Sequence, residues 1–201
     1  GVGLFGATPF RSGTRVYLTA PDGQRLAFTF EPEFALGGLL GTAYRATFIP
    51  DPGNPYQLST PEGEEPFLTV KPDGSVALLF IAFPWNPESY VLTAPDGVVH
   101  SYHQDKGLLS SETPSGTTLR YTPDGITHSS GLALAFGRDE AGRITSIPEP
   151  GGGVWTYTYS TEGDLIEVLP PAKTTPTTFA YNENFDHYLD SVTAPAGRTG
   201  L

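Results

Sequence analysis

Short runs of alternating apolar and polar residues recur along this chain, and turn-forming residues cut each one off after a few positions. Val154–Tyr159 reads Val-Trp-Thr-Tyr-Thr-Tyr, which sets Trp155, Tyr157 and Tyr159 on one side and Thr156 and Thr158 on the other. A period of two marks a half-buried strand, because successive side chains of an extended backbone point to opposite faces. β-Branched and aromatic residues predict further strands at Arg15–Thr19, Arg25–Phe30, Tyr44–Ile49, Phe67–Val70, Ser89–Thr93, Val98–Tyr102 and Thr117–Tyr121. The longest apolar run, Val76–Phe83, ends at Pro84 and predicts a buried strand. It is far too short for a membrane helix, which needs about 20 apolar residues. The only Pro-free stretch with helical character, Glu33–Phe48, is interrupted by Gly37, Gly38 and Gly41, each costing about 1 kcal/mol relative to Ala inside a helix.

The connectors are as regular as the strands. Pro-Asp-Gly occurs at Pro21–Gly23, Pro72–Gly74, Pro95–Gly97 and Pro123–Gly125. Pro presets φ at the first corner of a turn, Asp accepts a hydrogen bond from nearby backbone, and Gly supplies a positive φ. Between two strand-like runs, each triplet reads as the tip of a hairpin. The expected fold is all-β. Consecutive antiparallel hairpins would form an extended, twisted and curved sheet with few or no helices.

Repetition reinforces this reading. Thr-Ala-Pro-Asp-Gly stands at Thr19–Gly23 and Thr93–Gly97, with the variant Thr-Ala-Pro-Ala-Gly at Thr193–Gly197. Ile144, Ile147 and Pro150 recur 21 residues later as Leu165, Val168 and Pro171, and 24 residues after that as Leu189, Val192 and Pro195. Each unit holds a strand ending in an aromatic residue, a polar Gly-containing turn, a short apolar strand and a Pro/Gly turn. A lone two-stranded unit is marginal in water, so such units gain stability from their neighbours.

At these residues the chain resembles the YD-repeat or RHS-repeat (rearrangement-hotspot) family, whose pattern is Tyr-Asp-x-x-Gly-Arg-Leu followed by a strand, a Pro/Gly turn and an aromatic strand. Asp139-Glu-Ala-Gly-Arg-Ile144 carries the match best, with Trp155–Leu165 and Ala194–Thr199 as further copies. Arg138 stands where the family has Tyr, Ser160 where it has Asp, and Pro171–Thr174 lacks the turn Gly. Clear resemblance covers residues 134–201. Residues 85–133 read as degenerate hairpin repeats and residues 1–84 as an irregular β-region preceding them. The resemblance implies a non-enzymatic scaffold, stalk or shell wall within a large secreted or cell-surface bacterial protein. The family's self-cleavage motif is not in the chain, so no catalytic residues are implied.

Composition narrows the chemistry. With 24 Gly and 20 Pro the chain is rich in breakers, yet 12 Phe, 10 Tyr and 2 Trp favour burial over disorder. A net charge of −11 argues against a nucleic-acid surface. Without Cys there is no disulfide, thiolate metal site or Cys nucleophile. A first residue of Gly and the lack of Met read as a processed or excised piece of a longer polypeptide.

Few residues suggest a site. His100 and His103 lie three apart on an expected strand, hence on opposite faces, which argues against shared metal ligation. Asn182, Asn184 and Asp186 alternate oxygen donors as in the first half of a calcium loop, although the Gly and Glu of that loop are missing. Glu62, Glu64 and Glu65 form an acidic loop. Trp85 and Trp155 are candidates for stacking on sugar rings. An alternative function is therefore a glycan- or calcium-binding module of an adhesin, with Ca²⁺ the sole cofactor considered. Expected partners are flanking segments of the same polypeptide, a glycan or another cell-surface protein, and a second copy through unpaired edge strands. No nucleic-acid partner and no membrane span are expected.

Overall fold

The computed structural model describes residues 9–38, 41–61 and 66–195, and the backbone of 199–200. The acidic loop Glu62–Glu65 and residues 196–198 of the Ala194–Thr199 motif lie outside these residues. Among the described residues there is no helix, and every strand pairing is antiparallel. The chain forms two compact units, residues 1–120 and 121–201.

The first unit contains β1 (Arg15–Thr19), β2 (Arg25–Gly38), β3 (Gly41–Pro50), β4 (Gln57–Ser59), β5 (Leu68–Val70), β6 (Val76–Leu78), β7 (Ser89–Thr93), β8 (Val99–His103), β9 (Gly107–Glu112) and the start of β10 (Thr118–Thr122). Its strand order is β1-β2-β3-β4-β7-β8-β9-β10, with the β5–β6 hairpin also set against β3. The described residues of Glu33–Phe48, the one stretch with helical character, belong to β2 and β3, where Phe34 faces Tyr44 across the ladder. Alternation places Leu26, Phe28 and Phe30 of β2 inside together with Leu68, Val76 and Leu92, all essentially fully buried. Phe10, Phe30 and Trp85 form an aromatic knot with ring centroids 5.3–5.5 Å apart.

The second unit contains the end of β10, β11 (Gly125–His128), β12 (Ala133–Ala135), β13 (Gly137–Arg138), β14 (Ile144–Pro148), β15 (Val154–Tyr159), β16 (Leu165–Leu169), β17 (Thr177–Tyr181), β18 (Leu189–Thr193) and β19 (Thr199–Gly200). Strands β13 to β19 make one sheet in sequence order. The repeat is visible in the register. Ile126 faces Leu134, and 21 residues later Ile147 faces Trp155. Tyr157 faces Val168, and one unit later Phe179 faces Val192. A register shift recurs at the same place in each unit, between Gly137 and Arg138, Thr158 and Tyr159, and Ala180 and Tyr181. The longer 24-residue interval is accounted for by the connectors. Val168 pairs with Thr177, one residue farther than Ile147 from Trp155, while Phe179 lies two residues farther from Val192 than Tyr157 from Val168.

Hairpin tips share one geometry. Residue i donates its N–H to the carbonyl of i+4, and the Gly at i+3 donates back to the carbonyl of i. Among the described residues this occurs with i at Ala20, Lys71, Ala94, Thr113, His128, Asp139, Glu149 and Ser160. It is the three-residue hairpin loop in which a type I turn is followed by a left-handed residue. In three of the Pro-Asp-Gly tips the Asp carboxylate accepts the N–H two residues on, at 2.9–3.1 Å for Asp22, Asp73 and Asp96.

One hairpin tip departs from this geometry, and one expectation is corrected. Pro123-Asp124-Gly125 does not form the shared turn: Pro123 and Asp124 make the corner and Gly125 already belongs to β11. There Gly125 has φ +151°, and a Cβ on it would stand 1.9 Å from the Leu134 carbonyl oxygen. Nor is Val76–Phe83 a buried strand. Only Val76–Leu78 is extended, and the chain turns so that Trp85 N–H reaches the Val76 carbonyl at 3.1 Å. Val76 and Trp85 are buried, whereas Phe80 at the turn is 78% exposed, and Ile81 and Phe83 are exposed with it. Pro84 brings no N–H to continue a ladder, and a reversal is what returns Trp85 to the core.

Candidate functional site

Asn182, Asn184 and Asp186 occupy the loop joining β17 to β18. Asn182 is half-buried, and its side-chain oxygen accepts the Asn184 N–H at 2.9 Å, while Asn184 and Asp186 are exposed. Asn182 and Asp186, without Asn184, line a recess of about 570 Å³. Its lining combines Ile166, Phe179 and Tyr181 with polar and charged side chains. Among these, His187 Nδ1 lies 2.7 Å from Asp164 Oδ1. His187 sits at φ +61°. The Asp164 carboxylate raises the His187 pKa, through a hydrogen bond first and through charge second. This pair ties the turn after β15 to the turn after β17, which are equivalent positions of adjacent repeats. No three His, Asp or Glu side chains among the described residues cluster as a metal site.

The same edge carries further ties between repeats. Asp139 accepts the backbone N–H of Arg143 at 2.9 Å and its Nε at 2.7 Å, and these contacts lower the carboxyl pKa. Arg143 in turn covers the ring of Tyr159 in the next unit, 4.7 Å from its centroid. Tyr159 donates its hydroxyl to the Ile144 carbonyl at 2.8 Å, and Tyr181 donates to the Leu165 carbonyl at 3.0 Å. Arg138 occupies the equivalent position one unit earlier, and its Nε donates to the Pro123 carbonyl at 2.7 Å. The guanidinium thus supplies the bond that the tyrosine supplies elsewhere.

The two tryptophans differ in role. Trp85 is 7% exposed within the aromatic knot, so its ring faces are taken by protein. Trp155 is half-buried on β15, and its indole N–H donates to Glu149 at 2.7 Å. His100 is buried beside Ser111, with Nδ1 2.8 Å from Oγ, and burial lowers its pKa. His103, on the opposite face of β8, lies 3.9 Å from Glu88.

A second concavity, of about 520 Å³, lies in the first unit beside β1. Thr14–Thr19 form one wall, and Tyr90, Tyr102, Gln104 and Leu108 stand on the other. Its lining is largely apolar. Sequence reasoning found neither concavity. The Asp164–His187 pair joins turns of adjacent repeats, and the groove brings together residues distant in the chain, neither of which a local pattern records.

The chain matches no protein-family model, and a search of curated proteins finds no similar sequence.

Proposed function

We propose that this chain is a non-enzymatic structural segment (a scaffold, stalk or shell wall) of a large secreted or cell-surface protein of the RHS/YD-repeat kind. The observation that carries the reading is the recurrence of one register, one register shift and one side-chain-to-carbonyl bond in successive units of residues 121–195. Units built this way stabilise one another by nearest-neighbour contact, which suits a wall or stalk extended by addition of repeats. The Asp139–Arg143 turn, with Arg143 over Tyr159, is the part of the repeat where the resemblance is strongest.

The test uses the native source. An antibody raised against the chain should detect a polypeptide much larger than 21.5 kDa, outside the cytoplasm, with adjoining sequence that continues the 21- to 24-residue spacing. A free cytoplasmic protein of this size with no adjoining repeats would overturn the proposal.

A further inference from the structure

Among the described residues, β1 pairs with β2 alone, and no strand lies on its outer edge. Phe30 N–H donates to the Thr14 carbonyl and Ala20 N–H to the Gln24 carbonyl, both at 2.8 Å. The register running from Arg15 opposite Thr29 to Thr19 opposite Arg25 connects these two bonded pairs. Because bonded and non-bonded pairs alternate in an antiparallel ladder, Val16 and Leu18 turn their backbone groups toward β2. Arg15, Tyr17 and Thr19 turn theirs away. One of these outward groups is occupied, since the Tyr102 hydroxyl donates to the Thr19 carbonyl at 2.9 Å. The N–H and C=O of Arg15 and Tyr17 and the N–H of Thr19 have no partner among the described residues.

That edge forms one wall of the groove of about 520 Å³ described above. A second observation falls in the same place. Tyr90, on the facing wall, is only 7% exposed, and its hydroxyl has no hydrogen-bond partner among the described residues. Burial holds its phenol pKa up at about 12, so the group is a neutral donor at physiological pH. The hydroxyl oxygen itself is not buried, since Thr60 Oγ1 is the one buried unpartnered side-chain atom among the described residues, so the Tyr90 hydroxyl is a solvent-accessible donor at the groove. Outward groups on a strand repeat every second residue, about 6.8 Å apart, a spacing that another extended backbone matches. Alternate side chains of such a backbone would face the apolar wall.

We propose that this groove accepts one extended, apolar polypeptide segment, which adds to β1 as a further strand and takes up the Tyr90 hydroxyl. This inference is independent of the repeat reading, because it rests on the first unit alone.

The experiment uses the full chain and the blocked pentapeptide acetyl-Thr-Val-Thr-Val-Thr-amide, with its fully N-methylated counterpart as control. The expected result is saturable binding below about 1 mM, with amide exchange at Tyr17 slowed at least tenfold. N-methylation removes the strand's donors and leaves its side chains, so the control should bind at least tenfold more weakly. Tyr17→Pro removes the outward N–H at an edge position where Pro is tolerated and should weaken binding at least tenfold. Tyr90→Phe should leave the unliganded melting temperature unchanged or raised and weaken binding three- to tenfold. If Tyr17→Pro fails to fold, the exchange and N-methylation arms still decide.

Equal binding of the methylated peptide would make the groove a pocket for apolar ligands and overturn strand addition. So would unchanged exchange at Tyr17, or no binding at all. Protection of Tyr17 that depends on protein concentration, without peptide, would replace the peptide by a second copy of the chain.

Discussion

A single position, the one shared by Arg138, Tyr159 and Tyr181, shows how different chemistry can serve one role in this fold. Each reaches back to a carbonyl of the preceding unit. Tyr181→Phe leaves the Leu165 carbonyl without its donor and should cost about 1 kcal/mol, read from the urea midpoint. Tyr157→Phe, whose hydroxyl has no such bond, serves as the control. Arg138→Tyr should hold stability within about 0.5 kcal/mol, whereas Arg138→Ala should lose about 1 kcal/mol; equal losses would mean that the bond to Pro123 does not matter. The histidines offer a second test at this scale. His187 should titrate above its ordinary value because Asp164 favours the cation, and His100 below it because burial disfavours the cation. For His187 the raised folded-state value means that its contribution is full below the unfolded pKa, near 6.5, and fades as pH rises through the folded value. His100 has the opposite sign: its contribution is full above the unfolded pKa and is lost as pH falls through its lowered folded value. Histidine ring resonances followed by NMR should show both shifts, and Asp164→Asn should return His187 toward 6.5 while leaving His100 unmoved.

At the scale of elements, the chain reuses one hairpin tip and varies it where spacing demands. The eight tips with the shared bonding pattern give short, stiff connections, and the loop Asn182–Tyr188 replaces that tip with a longer one in which Asn182 N–H reaches the Tyr188 carbonyl at 2.8 Å. The fourth Pro-Asp-Gly shows the limit of reading a triplet by itself. Gly125 is required by close packing on β12 as well as by its backbone angle. Gly125→Ala should therefore cost about 3 kcal/mol or more, because the clashing atom is backbone and cannot swing aside. Gly163→Ala, where the nearest atom is the Arg143 side chain 3.6 Å away, should cost about 1 kcal/mol for its positive φ alone. Equal effects in thermal melts would remove the packing argument.

At the scale of the whole molecule, burial is unevenly shared. Every buried hydrophobic side chain among the described residues lies between Phe10 and Tyr102, while those of the second unit are half-buried or exposed. A fragment ending at Thr122, which keeps β10 whole, should unfold cooperatively with a steep dependence on urea, since that slope follows the surface exposed. Residues 121–201 alone should melt broadly, as expected of a sheet held by neighbour contacts without a closed core. Comparable sharp transitions for the two fragments would show that the second unit has a cooperative core of its own.

Strand positions and the all-β class were legible in the sequence because they follow from local causes. The alternation in Val154–Tyr159, the bulky runs at Arg15–Thr19 and Ser89–Thr93, and the spacing of turn glycines each act over a few residues. The 21-residue landmarks likewise anticipate a repeated register, because equal spacing along a hairpin array places equal residues opposite one another. Other features depended on partners far along the chain. The run Val76–Phe83 is apolar throughout, and only the return of Trp85 to Phe10 and Phe30 decided which part of it is buried. Trp85 itself became core for the same reason. Gly125 is constrained by Leu134, Asp164 meets His187 across a repeat, and the outer edge of β1 faces Tyr90. Hydrophobic alternation says which face of a strand is turned inward; which other strand meets that face, and where a gap is left, is settled by three-dimensional packing.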